Sequence, residues 1–403
     1  MTENRAGGAA ERHPHVRAAL RERMEADAVP GLVAVIADRE RAWIEPMGTL
    51  SAGDSPPVLA DSIFRISSMT KPITAAATLV LVEEGRLALD APVERWIPEL
   101  ADRRVLRRPD GPLTETEPAR RPITVEDLLT FRLGFGIPLV GPGEWPVADA
   151  LEALTLGQGP PHPDGVPAPD EWVRRFATLP LIYQPGERWM YNTGSDLLGV
   201  LLARATGEPF DAVLRGRIFE PLGMRDTGFC VPRSKLPRVT TSYGRPGAPK
   251  DLAAVYDPPD GQWSRPPAFP SGGGGLASTA PDFLAFARML LASGRSGGRP
   301  LLSPRSVQAM TRDHLTPGQR AAGGVFGNPS LGWGYGIAVA TTAGPEFGPG
   351  GSYGWDGGMG TTWRTHPSEG RILLLLTERC FVSPQPPAIH PAFWQAVLRA
   401  EPG

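Results

Sequence analysis

The stretch Phe64-Arg65-Ile66-Ser67-Ser68-Met69-Thr70-Lys71-Pro72-Ile73-Thr74 places an amine three residues after a hydroxyl nucleophile. A serine hydroxyl is a poor nucleophile at neutral pH and needs a base beside it. Positions three apart share one face of a helix, so Lys71 can reach Ser68. Pro72 is tolerated in the first turn of a helix, where its missing N–H costs nothing, and not in the interior. The helix therefore starts close to Ser68, with the hydroxyl at the positive end of the helix dipole. From Thr74 to Val82 the pattern is apolar all round, which predicts a buried helix and leaves the charge of Lys71 to be accounted for. A lysine desolvated there can lose its proton and act as a base. Ser-x-x-Lys is also common as a helix cap beside a solvated charge. The buried helix separates this pair from that background.

Two further stretches hold groups that such a pair needs. Trp189-Met190-Tyr191-Asn192-Thr193-Gly194-Ser195 runs into the start of a helix, so Tyr191 sits on a turn where a phenol can point into a cleft. Close to Lys71 its anionic form would be favoured, and it could pass a proton to or from Ser68. Tyr353-Gly354-Trp355-Asp356-Gly357-Gly358-Met359-Gly360-Thr361-Thr362-Trp363 reads as a glycine-rich strand and turn. Such a strand packs badly unless something approaches its backbone closely, and its free N–H groups can bind a developing oxyanion. Just before it, Gly350-Gly351-Ser352-Tyr353-Gly354 matches G-x-S-x-G. That motif needs a helix after the serine, and the glycines from Gly354 to Gly360 make a poor one. Ser352 is therefore not expected to be a nucleophile.

The elements around these groups follow from periodicity. Ala9 to Ala28 predicts an amphipathic helix, and Leu32–Ala37 with Ala42–Ile44 an antiparallel strand pair in which Pro46 belongs at an edge. Helices are expected to end at Gly85 and to run over Thr124–Thr130 with Thr124 as N-cap, and over Val147–Leu156, Ser195–Thr206, Asp282–Ser293, Ser303–Thr311 and Pro391–Arg399. Arg103–Arg121, charged and rich in proline, reads as an exposed insertion. Strands return over Trp333–Ala340, Gly360–Thr365 and Ile372–Thr377. Strands near both chain ends predict one α/β unit, residues 1–85 with 291–403, around a mainly helical region, residues 86–290.

The order and content of these stretches resemble the serine β-lactamases and penicillin-binding proteins, class C β-lactamases in particular. Ser68-Met69-Thr70-Lys71-Pro72, Gln184-Pro185-Gly186-Glu187-Arg188-Trp189-Met190-Tyr191 and Trp355-x-Gly357 are most similar to family VIII carboxylesterases. The resemblance spans roughly Pro30 to the C-terminal helix. It implies a β-lactamase/transpeptidase-like fold, with an antiparallel sheet flanked by the terminal helices. It also implies a cofactor-free serine hydrolase in which Ser68 is acylated and Lys71 and Tyr191 share the acid–base work. The N–H groups of Ser68 and Gly358 would then form the oxyanion hole. Two departures set substrate expectations. The Tyr motif has Thr193 where the β-lactamases have Asn, and Trp355, followed by Asp356, stands where they have a carboxylate-binding Lys. With Trp355, Asp356 and Thr193 toward the substrate, small neutral esters are expected over β-lactams and carboxylate-bearing peptides. A β-lactamase, a D-aminopeptidase, an acyltransferase and an inactive ligand-binding relative are the alternatives. The joint presence of Ser68, Lys71 and Tyr191 disfavours the last.

Composition excludes several other classes. Forty-one basic residues against 43 acidic give a net charge of −2, which favours neither nucleic acid nor an anionic membrane. Glycine (48) and proline (46) point to long, stiffened loops within an otherwise well-packed chain. The two cysteines, Cys230 and Cys380, and the lack of an apolar stretch from Met1 to His15 lead to the expectation of a cytoplasmic enzyme. The six histidines form no metal-binding pair, so no metal is expected. Ser271-Gly272-Gly273-Gly274-Gly275 lacks the Lys of a phosphate loop and is expected to form a flexible wall of the cleft.

Overall fold

The computed structural model describes residues 13–399 apart from 142, 158, 245–253 and 384. The two N-terminal apolar runs form β1 (Gly31–Ala37) and β2 (Ala42–Gly48), paired antiparallel with Val35 opposite Ile44. The strands of the last third are β3 (Leu331–Trp333), β4 (Ala338–Ala340), β5 (Tyr353–Gly357), β6 (Thr361–His366) and β7 (Arg371–Thr377). Together they make one seven-stranded antiparallel sheet in the order β3-β4-β5-β6-β7-β1-β2. β2 is an edge strand, so Pro46 removes no ladder bond.

Both faces of the sheet are covered. Leu32, Ala34, Leu373 and Leu375 pack against Val16 and Leu20 of α1 (Pro14–Ala26) and against Ile389, Phe393 and Trp394 of the C-terminal helix. Val33, Val35, Leu374 and Leu376 face the larger core, which includes α2 (Thr70–Glu83), α3 (Thr193–Thr206) and α4 (Ala280–Leu291). The C-terminal helix is α5 (Ile389–Arg399). Burial on both faces explains why Ile372–Leu376 is apolar without alternation. The result is the β-lactamase/transpeptidase-like architecture, an antiparallel sheet between terminal helices and an inserted, mainly helical region.

Local chemistry sets the helix ends. Gly85 (φ +70°) follows α2, and Gly207 (φ +74°) closes α3 in the left-handed conformation. A capping box joins Thr124 and Asp127 at the start of the helix Val125–Leu129.

Several expectations change. Residues 333–340 hold the end of β3, a tight turn and β4 rather than one strand. Gly336 (φ +67°) lies in that turn, and a Cβ there would come within 2.9 Å of the Lys71 carbonyl oxygen, so the turn packs on the backbone of α2. Arg103–Arg121 is not simply exposed. It forms a hairpin (Arg104–Leu106 with Thr116–Pro118) in which Val105 and Leu106 are buried and the Arg103 guanidinium donates to the carbonyls of Ala177 and Leu179. The helix Pro169–Ala177, with Trp172, Val173 and Phe176 buried, was not anticipated. Residues 9–12 of the predicted first helix lie outside the described residues. Among the described residues, no helix is long and apolar enough to cross a membrane.

Candidate active site

Ser68 lies on a 3₁₀ turn, Ser67–Met69, that leads directly into α2. Every other residue from Ser62 to Leu79 is buried, so the chain presents this one hydroxyl. Ser67, just before it, has φ +44°, a left-handed conformation that costs a non-glycine residue about 1–3 kcal/mol and tends to occur at functional sites. The turn is held from below by Arg65. Its guanidinium is buried, pairs with Asp257 and donates to the carbonyls of Thr240 and Pro258. Removing one partner of such a buried pair typically costs about 3–5 kcal/mol.

Lys71 is fully buried. Its Nζ donates to Ser68 Oγ at 2.9 Å and to the Gly273 carbonyl oxygen. Burial pulls its pKa down from the ordinary lysine value to about 7, with the negative charge of Asp196 opposing the drop. At neutral pH much of Lys71 is therefore a neutral amine beside the serine. Asp196, a buried acid on α3, accepts from Ser271 Oγ at 2.6 Å and from the Gly273 N–H at 3.0 Å. Burial raises its own pKa, while Lys71 works in the opposite direction.

The Ser271–Gly275 segment is a wall of the site, but a pinned one. Thr74 Oγ1 donates to the Gly272 carbonyl at 2.9 Å, and Trp263 Nε1 to that of Gly275 at 2.8 Å. A Cβ on Gly272 would sit 2.3 Å from the Ser195 carbonyl oxygen, so glycine is needed for the close approach.

Tyr191 immediately precedes the turn into α3. Asn192 there has φ +86° and ψ −63°, a second strained non-glycine position. The Tyr191 ring centroid is 4.6 Å from Lys71 Nζ, and its hydroxyl accepts from Trp355 Nε1 at 2.7 Å. The expectation of a favoured phenolate is corrected. Burial pushes the phenol pKa above its usual value, against the opposing effects of the Ser68 hydroxyl and the Trp355 indole. Tyr191 is a neutral group able to donate and accept.

β5 brings the remaining backbone. A Cβ on Gly357 would come within 2.2 Å of the Ile66 carbonyl oxygen, the close approach that a glycine-rich strand requires. Gly358 follows at the end of β5, partly exposed and close to Ser67. Among the described residues, neither the Ser68 nor the Gly358 N–H has an acceptor in the turns and loops. Two donors left free beside a nucleophile can serve an oxyanion.

The substrate-side expectations fare differently. Trp355 is buried and turned toward Tyr191, so it orients the phenol rather than lining an open cleft. Asp356, next along the strand, points to the opposite face. Its carboxylate is paired with Arg364 at 2.7 Å and accepts from Thr362, which keeps its pKa low despite burial. It faces Arg364, which neutralises its charge. Thr193 is buried in the first turn of α3 and offers no surface to a ligand. Ser352 is buried and leads into a strand, not a helix. Asp196 was missed. The visible signal was an acid on the buried stripe of an otherwise apolar helix, which demands a partner.

A serine held against a buried lysine whose pKa is drawn down to about 7, with a tyrosine and two free backbone donors beside it, defines a serine hydrolase of the Ser-x-x-Lys type. The chain belongs to the Beta-lactamase family, whose model matches residues 16–387. Protein Rv1367c of Mycobacterium tuberculosis is 38% identical over 374 residues, spanning 90% of this chain and 89% of its own. Esterase EstB of Burkholderia gladioli is 33% identical over 384 residues, spanning 90% and 88%. The solved structure of EstCE1, described as a hydrolase with promiscuous acyltransferase activity, superposes with a TM-score of 0.77 at 24% identity. It covers 95% of this chain and 97% of its own, and supports the fold. Among the described residues, no group of three His, Cys, Asp or Glu side chains could hold a metal ion.

Proposed function

We propose that this protein is a carboxylesterase that cleaves small neutral esters through an acyl-Ser68 intermediate. The observation that carries the reading is the 2.9 Å contact between Ser68 Oγ and the buried amine of Lys71. Neutral Lys71 takes the Ser68 proton as Oγ attacks the ester carbonyl. The Ser68 and Gly358 N–H groups receive the oxyanion. As the carbonyl carbon–alkoxy bond breaks, Tyr191 hands its proton to the departing oxygen and is reprotonated from Lys71. Water then attacks the acyl-serine by the same steps in reverse.

Preference for neutral substrates is supported by Trp355. At the position where the β-lactamases offer a cation, this chain turns an indole inward to hydrogen-bond Tyr191. A charge-assisted hydrogen bond to a substrate carboxylate, worth about 1.5–3 kcal/mol, is then missing. Asp356 plays no part in this preference. The esterase name of the Burkholderia relative points the same way. Two free cysteines support a reducing, cytoplasmic setting.

The test is kcat/KM for p-nitrophenyl butyrate beside nitrocefin. The ester should win by roughly tenfold to several-hundredfold. A wide margin for nitrocefin would replace the esterase reading with a β-lactamase.

A further inference from the structure

Phe326 is a large apolar residue left 42% exposed, and it stands beside the catalytic tyrosine. Its ring centroid lies 5.0 Å from that of Tyr191 and 5.2 Å from that of Trp189. It stacks on Trp355 at 6.1 Å and 17°. Of the other members of this aromatic group, Phe131, Trp333 and Trp355 are buried and Trp189 and Tyr191 are partly buried. Phe326 is therefore the most exposed ring of the group, and it lies directly against Tyr191.

The loop that holds it is built for the purpose. Phe326 has φ +50°, and Gly323, Gly324 and Gly327 around it also have positive φ. A left-handed phenylalanine is strained, and such strain persists only where the surroundings impose it. The base of the loop is tied to the stretch that carries Tyr191. Gln319 Nε2 donates to the Gly186 carbonyl at 2.6 Å, and an Arg188 N–H to that of Ala322 at 3.0 Å. Ring and phenol are thus positioned by the same segment.

We infer that Phe326 is a specificity-determining residue for the alcohol portion of the ester, selecting apolar and especially aromatic alcohols. The inference rests on the esterase reading above. Acylation forms the Ser68 Oγ–acyl carbon bond and breaks the acyl carbon–alkoxy oxygen bond, and the alkoxy oxygen leaves with the proton of Tyr191. That oxygen must lie against the phenol, so the alcohol's substituent extends past Tyr191 toward Phe326. The acyl group lies on the Ser68 side, away from this ring. A flat apolar substituent can stack on the exposed ring, whereas a methyl group cannot reach it.

Benzyl butyrate and methyl butyrate test this directly, because both pass through the same butyryl-enzyme and differ only before it. The benzyl-to-methyl ratio of kcat/KM should fall roughly tenfold in Phe326→Ala and persist in Phe326→Tyr, which keeps the ring. The benzyl butyrate-to-benzyl acetate ratio, which varies only the acyl group, should move by less than about twofold in both variants. An unchanged alcohol ratio in Phe326→Ala, an equal fall in Phe326→Tyr, or an acyl ratio that moves as much would each overturn the assignment. Failure of the underlying reading looks different: the unmodified enzyme would turn over none of these esters, and the assignment would fall with it.

Discussion

In the mechanism proposed above, Lys71 is the residue on which the chemistry turns, because two opposing influences set its protonation. Burial favours the neutral amine, the Asp196 charge favours the ammonium, and the balance leaves the pKa at about 7. Below that value Lys71 is charged and cannot accept the Ser68 proton; above it the base is free. The kcat/KM for a neutral ester should therefore rise with pH and level off above about 7. Asp196→Asn keeps acceptors for Ser271 and Gly273 but removes the negative charge, so the ammonium loses support. The midpoint of the rise should move to lower pH by about one unit or more. A pH profile with an unmoved midpoint would mean that another group titrates. Ser68 and Lys71 were legible in the sequence because their relation is local: helix spacing and Pro72 nearly dictate it. Asp196 was not, because its partners at Ser271 and Gly273 lie 75 and 77 residues away and meet it only through tertiary packing.

β5 shows how an element can be recognised while its side chains are misassigned. Its glycine content announced a close approach, and the backbone of Ile66 makes it. Trp355 and Asp356, however, were both assigned to the cleft, which the two-residue period of a strand forbids for neighbours. One faces Tyr191 and the other Arg364. Residues 333–340 were read as one strand for a related reason, since a turn with Gly334 and Gly336 interrupts a run that is otherwise aromatic and apolar. At this scale Gly357→Ala is the informative change. Its methyl would push β5 off the Ser68 turn and draw the Gly358 N–H away from the position proposed for the oxyanion. The seven-stranded sheet should survive, because only the end of one strand is displaced. The kcat for p-nitrophenyl butyrate should fall about 10²- to 10³-fold, as expected for loss of one oxyanion donor, with an unaltered far-ultraviolet circular dichroism spectrum. Activity within a few-fold of the unmodified enzyme would remove Gly358 from the mechanism.

In the molecule as a whole, the site is a seam between parts distant in sequence. β1 pairs with β2 beside it in the chain and with β7 near the C-terminus, so the sheet closes only when both ends are present. Ser68 and Lys71 come from the early part of the chain, Tyr191 and Asp196 from the helical middle, and Gly358 from the late strands. The α/β class and the union of both chain ends were legible from where the strands fall. The clamps between parts, Arg65 on Asp257 and Lys71 on Gly273, were not, because nothing local marks either partner. All of this geometry converges on one hydroxyl, so the decisive measurement is intact mass after incubation with a fluorophosphonate, followed by peptide mapping. A single adduct on the peptide containing Ser68, absent in Ser68→Ala and retained in Ser352→Ala, is the predicted result. An adduct that survives Ser68→Ala and disappears in Ser352→Ala would contradict it.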